Sequence, residues 1–168
     1  MLFAEANAAS PFHGARDGDV LPLGDVSVQV LHTPGHMLEH ISLLVTDRTR
    51  SDEPWIALTG HTLMDGDVGR TELAATVEER ARILFRSLQR LKALPDYLDV
   101  LLGAFAGSVC GRRLSGKPMS TIGFEKRHNV AFRIEDEEAF VRAMSEEILP
   151  SSPGAAELRA ANGGLALV

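Results

Sequence analysis

The chain has few cysteines, few aromatic side chains and no excess of positive charge. Its single cysteine, Cys110, excludes an internal disulfide framework and favours a reducing compartment. The net charge of −6 gives no electrostatic support for a nucleic-acid partner or an anionic membrane. No apolar run approaches the roughly 18 residues needed to span a bilayer. The N-terminus lacks the basic segment and long apolar core of a signal peptide. These absences predict a cytoplasmic protein.

What is present fits one folded domain. A length of 168 residues and a hydrophobic fraction of 45% suffice for one buried core. We divide the chain into an irregular N-terminal segment, residues 1–20, a folded region, residues 21–149, and a flexible tail, residues 150–168. The tail is assigned because it begins at a proline and contains a pair of glycines near its end.

Apolar periodicity predicts about four strands and three helices. Residues 26–31 alternate as a half-buried strand does, and residues 41–45, 55–58 and 97–102 are shorter apolar runs. An amphipathic pattern predicts a helix over residues 73–94, ended by Pro95. A short helix reaching His128 follows a cap at Ser120 or Thr121, and another is predicted over residues 135–149. This order indicates a layered α/β fold with its chemistry at the strand ends.

Two strands end in a glycine turn that presents a histidine. The first reads Leu-His-Thr-Pro-Gly-His over residues 31–36, and the second reads Leu-Thr-Gly-His-Thr-Leu over residues 58–63. Metal sites of α/β proteins are often built from ligands on such loops. The two turns therefore predict a metal site at one edge of the sheet.

Together with three further motifs, these turns resemble the metallo-β-lactamase superfamily. The additional motifs are Gly-Asp-Val-Gly-Arg at 66–70, Gly-Ser-Val-Cys-Gly at 107–111 and Ser-Thr-Ile-Gly-Phe-Glu-Lys-Arg-His-Asn at 120–129. They are similar to the persulfide dioxygenase and glyoxalase II-like branch, in particular to forms that carry rhodanese domains. The resemblance covers roughly residues 20–149 and implies an αββα sandwich, of which this chain holds the C-terminal part.

The resemblance implies an iron (Fe²⁺) or zinc site whose ligand set is incomplete here. The family's upstream His-x-His-x-Asp-His motif is absent from this sequence, His61 replaces a family aspartate, and Ala104 replaces a family histidine. Only His36 matches a family ligand unchanged. His36 and His61 are the candidate metal ligands, or they remain after the site was lost. His32 and His40, beside the first turn, are interpreted as structural.

Two further residues are candidates for handling a substrate. In the family an arginine at the position of Arg70 helps to hold an anionic substrate such as glutathione, whereas a salt bridge to Asp65 or Asp67 is the structural alternative. The resemblance places Cys110 on the substrate side of the pocket, where it could exchange sulfur with a persulfide. Neighbouring arginines would favour its thiolate. The alternative is a small buried residue.

Three hypotheses follow, and a fourth depends on Cys110 alone. The first is a degenerate or truncated member of this branch, catalytically silent alone. The second is an active persulfide dioxygenase or thioester hydrolase, with glutathione persulfide or a thioester as substrate, completed by another subunit or segment. The third is a binding or assembly module that pairs as a homo-oligomer or with a complete paralogue, because a half-sandwich must cover its apolar face. The fourth is metal-free sulfur transfer through Cys110.

Overall fold

The computed structural model describes residues 1–71, 76–108, 111–146, 148 and 154–164, and these residues form ten strands and four helices. In chain order the strands are β1 (Leu2–Phe3), β2 (Gly14–Ala15), β3 (Val20–Leu23), β4 (Val26–His32), β5 (Ile41–Asp47), β6 (Ile56–Gly60), β7 (Leu63–Met64), β8 (Asp67–Val68), β9 (Asp99–Leu102) and β10 (Met119–Thr121). The helices are α1 (Val77–Lys92), α2 (Ile122–His128), α3 (Glu137–Glu146) and α4 (Ala155–Asn162).

Six of the strands form one mixed sheet in the order β10-β9-β6-β5-β4-β3. Strands β3 to β6 pair antiparallel with their sequence neighbours, as short polar turns allow. Strand β9 pairs parallel with β6, and the crossover between them contains α1. The remaining strands form two small pairs, β1 with β2 and β7 with β8. The ends of β4 and β6 that carry the histidine turns therefore lie at the same edge.

The predicted α/β class is confirmed, but the sheet has more strands than the sequence indicated. The four predicted strands correspond to β4, β5, β6 and β9. The others were missed because each has only two to four residues, too few for an alternation to be recognised. Residues 61–70 contain the β7–β8 hairpin, and residues 1–20, predicted as an irregular segment, contain the β1–β2 pair.

Three of the four helices agree with the sequence patterns apart from their bounds, whereas α4 lies within residues 150–168, where the sequence predicted a flexible tail and no helix. Helix α1 begins at Val77, where the hydroxyl of Thr76 accepts from the backbone N–H of Glu79. Its start was predicted at residue 73, and residues 72–75 lie outside the described part of the chain. Helix α2 is capped by Thr121, as predicted. None of the helices in the described residues is both long and apolar enough to cross a bilayer.

The main core lies between one face of the sheet and helices α1, α2 and α3. Leu84, Leu88 and Leu91 of α1 are buried against Val100 of β9 and Phe140 of α3. The rest of this cluster is Leu63, Val68, Ala81, Phe85, Leu98, Ile122, Ala131, Phe132, Val141 and Met144. Helices α1, α2 and α3 thus lie on the same face of the sheet, and the position of the crossover helix α1 fixes that choice.

Replacement of Leu88 by alanine is expected to lower the free energy of unfolding by about 2–5 kcal/mol, since a fully buried side chain leaves a cavity that only partly collapses. Arg86→Ala, one half-turn away on an exposed side chain, serves as the control and should change the value by less than about 0.5 kcal/mol. Urea titration followed by circular dichroism measures both. Equal losses in the two variants would contradict this assignment of the core.

Candidate metal centre

The two histidine turns are joined by hydrogen bonds between threonines. The hydroxyl of Thr62, after β6, donates to the carbonyl oxygen of Thr33, after β4, at 3.0 Å. Within the second turn, the hydroxyl of Thr59 donates to the carbonyl of Leu63 at 2.6 Å. All three threonines are fully buried. Buried hydroxyls that are satisfied in this way fix the separation of the turns.

His40 is the residue that holds the two turns in register. Its Nε2 accepts from the backbone N–H of His61 at 3.2 Å. Its Nδ1 lies 2.9 Å from the Thr62 hydroxyl and 3.1 Å from the Thr33 hydroxyl. Because the Thr62 proton is given to the Thr33 carbonyl, Nδ1–H of His40 donates to the Thr62 oxygen. The imidazole is therefore neutral, and both of its nitrogens are used within the protein.

Two glycines make room for these imidazoles. A Cβ at Gly60 would lie 2.6 Å from Nε2 of His40, and the φ of Gly60 is +53°. A Cβ at Gly69 would lie 2.8 Å from Cβ of His36 and 2.6 Å from the carbonyl oxygen of His61. All three distances are shorter than the contacts that real Cβ atoms make, so only glycine lets the chain approach this closely.

His36 is buried with its ring oriented by a backbone carbonyl. Its Nδ1 lies 3.1 Å from the carbonyl oxygen of Arg70, and the residue is 6% exposed. Because a carbonyl can only accept, Nδ1 carries the proton, and Nε2 carries the lone pair. This tautomer, set by a second partner, is the one in which metal-binding histidines are held.

His36 and His61 lie side by side at the edge of the sheet. Their ring centres are 5.0 Å apart and their planes are inclined at 75°. Two imidazoles bound to one tetrahedral ion, each at about 2.1 Å, would place their ring centres roughly 5 Å apart. The structure therefore brings together the two histidines that the sequence predicted as ligands, at a spacing that suits a shared ion.

This pair does not amount to a complete metal centre. Among the described residues, no three histidine, cysteine, aspartate or glutamate side chains come together as a metal-binding group. His40 uses both of its ring nitrogens elsewhere, and the buried Ala104 offers no donor. Zinc and iron sites need three or more protein ligands. The donor set described does not fit a resident iron or zinc ion by itself.

The carboxylates of Asp65 and Asp67 accept hydrogen bonds from the loop that begins at residue 111. One oxygen of Asp67 accepts from the backbone N–H groups of Arg112 and Arg113, and the other accepts from the backbone N–H of Val68 at 2.8 Å. Asp65 contacts the hydroxyl of Ser115. Both aspartates thereby fasten the loop that begins at residue 111 to the β7–β8 hairpin.

Of the two residues predicted to handle a substrate, the structure describes Arg70 but not Cys110. Arg70 is 3% exposed, and its carbonyl oxygen orients His36. Its role in holding an anionic substrate stays a prediction. Cys110 lies outside the described residues, so its predicted sulfur exchange with a persulfide stays a prediction. The guanidinium of Arg112 donates to the carbonyl oxygen of Met144 at 3.3 Å, at the end of α3.

Sequence reasoning missed a buried carboxyl group beside this loop. Glu125 of α2 is fully buried, and its carboxyl accepts from the Ser120 hydroxyl at 2.5 Å, the Asn129 amide at 2.8 Å and the Gly66 backbone N–H at 3.1 Å. Burial raises its pKa, against the lowering effect of these hydrogen bonds. A Glu and an Asn four residues apart on one helix were the available signal, since such a pair shares a face.

Comparison with known proteins agrees with this arrangement. No family model matches the sequence. A crystal structure of a metallo-β-lactamase from Staphylococcus aureus aligns with a TM-score of 0.84 and 33% identity, covering 90% of this chain and 44% of that one. ETHE1 from Myxococcus xanthus aligns with a TM-score of 0.73 and 29% identity, covering 95% and 63%. The hydroxyacylglutathione hydrolase GloC of Haemophilus influenzae is 32% identical over 114 residues, 68% of this chain and 44% of that protein.

The chain belongs to the metallo-β-lactamase superfamily. Within it, the chain resembles hydroxyacylglutathione hydrolases, also called glyoxalase II, and ETHE1, the branch that the sequence motifs indicated. It spans about half the length of the curated relatives it matches.

The stability of the protein should depend on the neutral form of His40. Burial, together with the smaller effect of the nearby imidazoles of His36, His61 and His32, lowers the pKa of His40 to about 4. In the unfolded chain this pKa is about 6.5. Between these two values only the unfolded state binds the proton. We therefore expect up to about 3 kcal/mol of stability to be present above pH 6.5, lost as the pH falls towards 4, and unchanged below that.

Urea titrations at several pH values between 7 and 4 measure this loss. A His40→Asn variant, which cannot titrate, should be less stable at pH 7 but show a flatter pH dependence over this range. His128→Asn, at an exposed position on α2, should keep the slope of the parent chain. If His40→Asn keeps the parent slope, then the pH dependence does not arise from His40.

Proposed function

We propose that this chain is a member of the glyoxalase II and persulfide dioxygenase-like group with an incomplete metal site, and that it is catalytically silent or weak by itself. The observation that carries the proposal is the pair of imidazoles, His36 and His61, with ring centres 5.0 Å apart, which no third histidine, cysteine or carboxylate side chain joins within the part of the chain that the structure describes. The group's chemistry depends on a metal that polarises the substrate or activates oxygen or water. Two neutral ligands hold such an ion weakly.

The chemistry of the donors present supports the same conclusion. A carboxylate can bridge two metals and brings a negative charge, whereas the neutral imidazole of His61 does neither. Ala104, where the resembling family has a histidine, has no donor atom. The third imidazole nearby, that of His40, is committed to positioning the two turns. No step of a metal-dependent reaction is therefore derived for this chain alone.

The orientation of His36 favours a second candidate function, in which the pair of His36 and His61 takes part in binding a metal ion. The carbonyl of Arg70 holds His36 in the tautomer that a metal ligand requires. With further ligands from another subunit or segment, the pair would become one side of a working site. The proposed activity is then persulfide oxidation or thioester hydrolysis, with glutathione persulfide or a glutathione thioester as substrate and Arg70 as its anchor. The single cysteine is consistent with action in the reducing cytoplasm.

Metal content and turnover decide between the two candidates. Protein purified without chelators should contain iron and zinc far below one ion per chain, as measured by plasma mass spectrometry against protein concentration. It should neither hydrolyse a hydroxyacyl-glutathione thioester nor consume oxygen with glutathione persulfide after addition of Zn²⁺ or Fe²⁺. Near-stoichiometric metal together with turnover would overturn the first proposal and support the second.

Two variants make the measurement specific to the histidine pair. His36→Ala should reduce whatever metal the parent chain retains by at least about tenfold, because it removes one of two ligands. His128→Ala, which changes an exposed histidine on α2, should leave metal content unchanged. If both variants lose metal equally, the retained ion is bound elsewhere and the assignment of the pair is wrong.

A further inference from the structure

Two side chains of helix α2, Glu125 and Asn129, bind the backbone of the β7–β8 hairpin. One carboxyl oxygen of Glu125, Oε2, accepts from the backbone N–H of Gly66 at 3.1 Å. The side-chain amide of Asn129 donates to the carbonyl oxygens of Met64 at 3.3 Å and Asp67 at 3.0 Å. Peptide groups on both sides of the hairpin turn are therefore held by one helix.

The two side chains are themselves fixed by further hydrogen bonds. The Asn129 amide also donates to Oε2 of Glu125 at 2.8 Å, and Oδ1 of Asn129 accepts from the backbone N–H of Phe132 at 3.0 Å. The other carboxyl oxygen of Glu125, Oε1, accepts from the hydroxyl of Ser120 at 2.5 Å. All four residues are buried, so loss of one partner leaves a polar group that water does not readily reach.

The hairpin depends on this support, because its own ladder has only two residue pairs, Leu63 with Val68 and Met64 with Asp67. A two-stranded hairpin alone is marginally stable at best in water. Leu63 and Val68 also pack in the core, but apolar contact is non-directional. The hydrogen bonds from α2 are directional, so they orient the peptide groups of the hairpin.

The chain passes from this hairpin directly to His36. Gly69 follows β8, and a Cβ placed on it would lie 2.8 Å from Cβ of His36. The next residue, Arg70, presents the carbonyl oxygen that lies 3.1 Å from Nδ1 of His36. This carbonyl belongs to the same short segment as Asp67, whose own carbonyl is held by Asn129. The position of the Arg70 oxygen therefore follows that of the hairpin.

We infer that Glu125 and Asn129 are positioning residues for His36: they hold the hairpin so that the Arg70 carbonyl keeps the proton of His36 on Nδ1 and the lone pair on Nε2. His36 counts as a metal ligand only under the proposed function, on which this inference therefore rests. Oε2 of Glu125 accepts from the hairpin whether or not Oε1 carries a proton, so the positioning requires an acceptor and not a charge. Supports of this kind set the tautomer of ligating histidines in metal sites.

Nitrogen-15 nuclear magnetic resonance of the imidazole rings tests the positioning, because the protonated and unprotonated nitrogens of a neutral histidine differ in chemical shift. Spectra are recorded on metal-free protein at alkaline pH, and His36→Ala assigns the signals of His36 among the six histidines. The parent chain should show His36 protonated at Nδ1 alone. Glu125→Met, which keeps the side-chain length and removes the acceptor, should show both tautomers. Hydrogen exchange at the Gly66 amide should become at least about tenfold faster in this variant.

Two matched variants separate positioning from a general loss of stability. Glu125→Gln keeps an oxygen that can face Gly66 while its amide faces the Ser120 hydroxyl, so it should retain the parent tautomer. Ser120→Ala removes the partner of Oε1, the oxygen that does not contact the hairpin, and should lower the urea midpoint without changing the tautomer. If Glu125→Met fails to fold, Asn129→Ser gives the same test, because its hydroxyl is too short to reach the hairpin carbonyls, and it should also show both tautomers.

A parent chain with His36 protonated at Nε2 overturns the inference. So does a single unchanged tautomer in folded Glu125→Met or Asn129→Ser. Equal tautomer changes in Ser120→Ala and Glu125→Met would also overturn it, because the effect would then follow stability alone. Metal content and turnover, which test the proposed function, do not enter this measurement, so the two failures are distinguishable.

Discussion

A single neutral imidazole, that of His40, positions both histidine-bearing turns. It accepts from the backbone of one turn and donates to a hydroxyl that is itself bound to the other turn. A proton on Nε2 would oppose the N–H of His61 and break the first of these contacts. The separation of His36 and His61 at the sheet edge therefore depends on a residue that is not a metal ligand in this arrangement. Such dependence of ligands on their supports is general in metal sites.

The sequence predicted the longer elements well and the short ones poorly. Strands β4 and β5 and helix α1 have enough residues for a period to be recognised, and they were located within a few positions. Strands of two or three residues exist only because a neighbour pairs with them. The glycine turns predicted where His36 and His61 lie. The carboxyl of Glu125 was overlooked although Ser120 and Asn129 lie near it in sequence, because only the fold shows that it is buried and that it accepts from the distant Gly66.

The amino-acid sequence by itself determined the superfamily, the class of fold and the two candidate ligands, because glycine turns and apolar periods are local properties of the chain. Only the tertiary structure decided that His40 is neutral and joins the turns, that His36 and His61 form a pair, and that no third donor among the described residues joins them. It also decided which face of the sheet the helices cover. These outcomes depend on burial and on contacts between residues far apart in sequence, which no local pattern specifies.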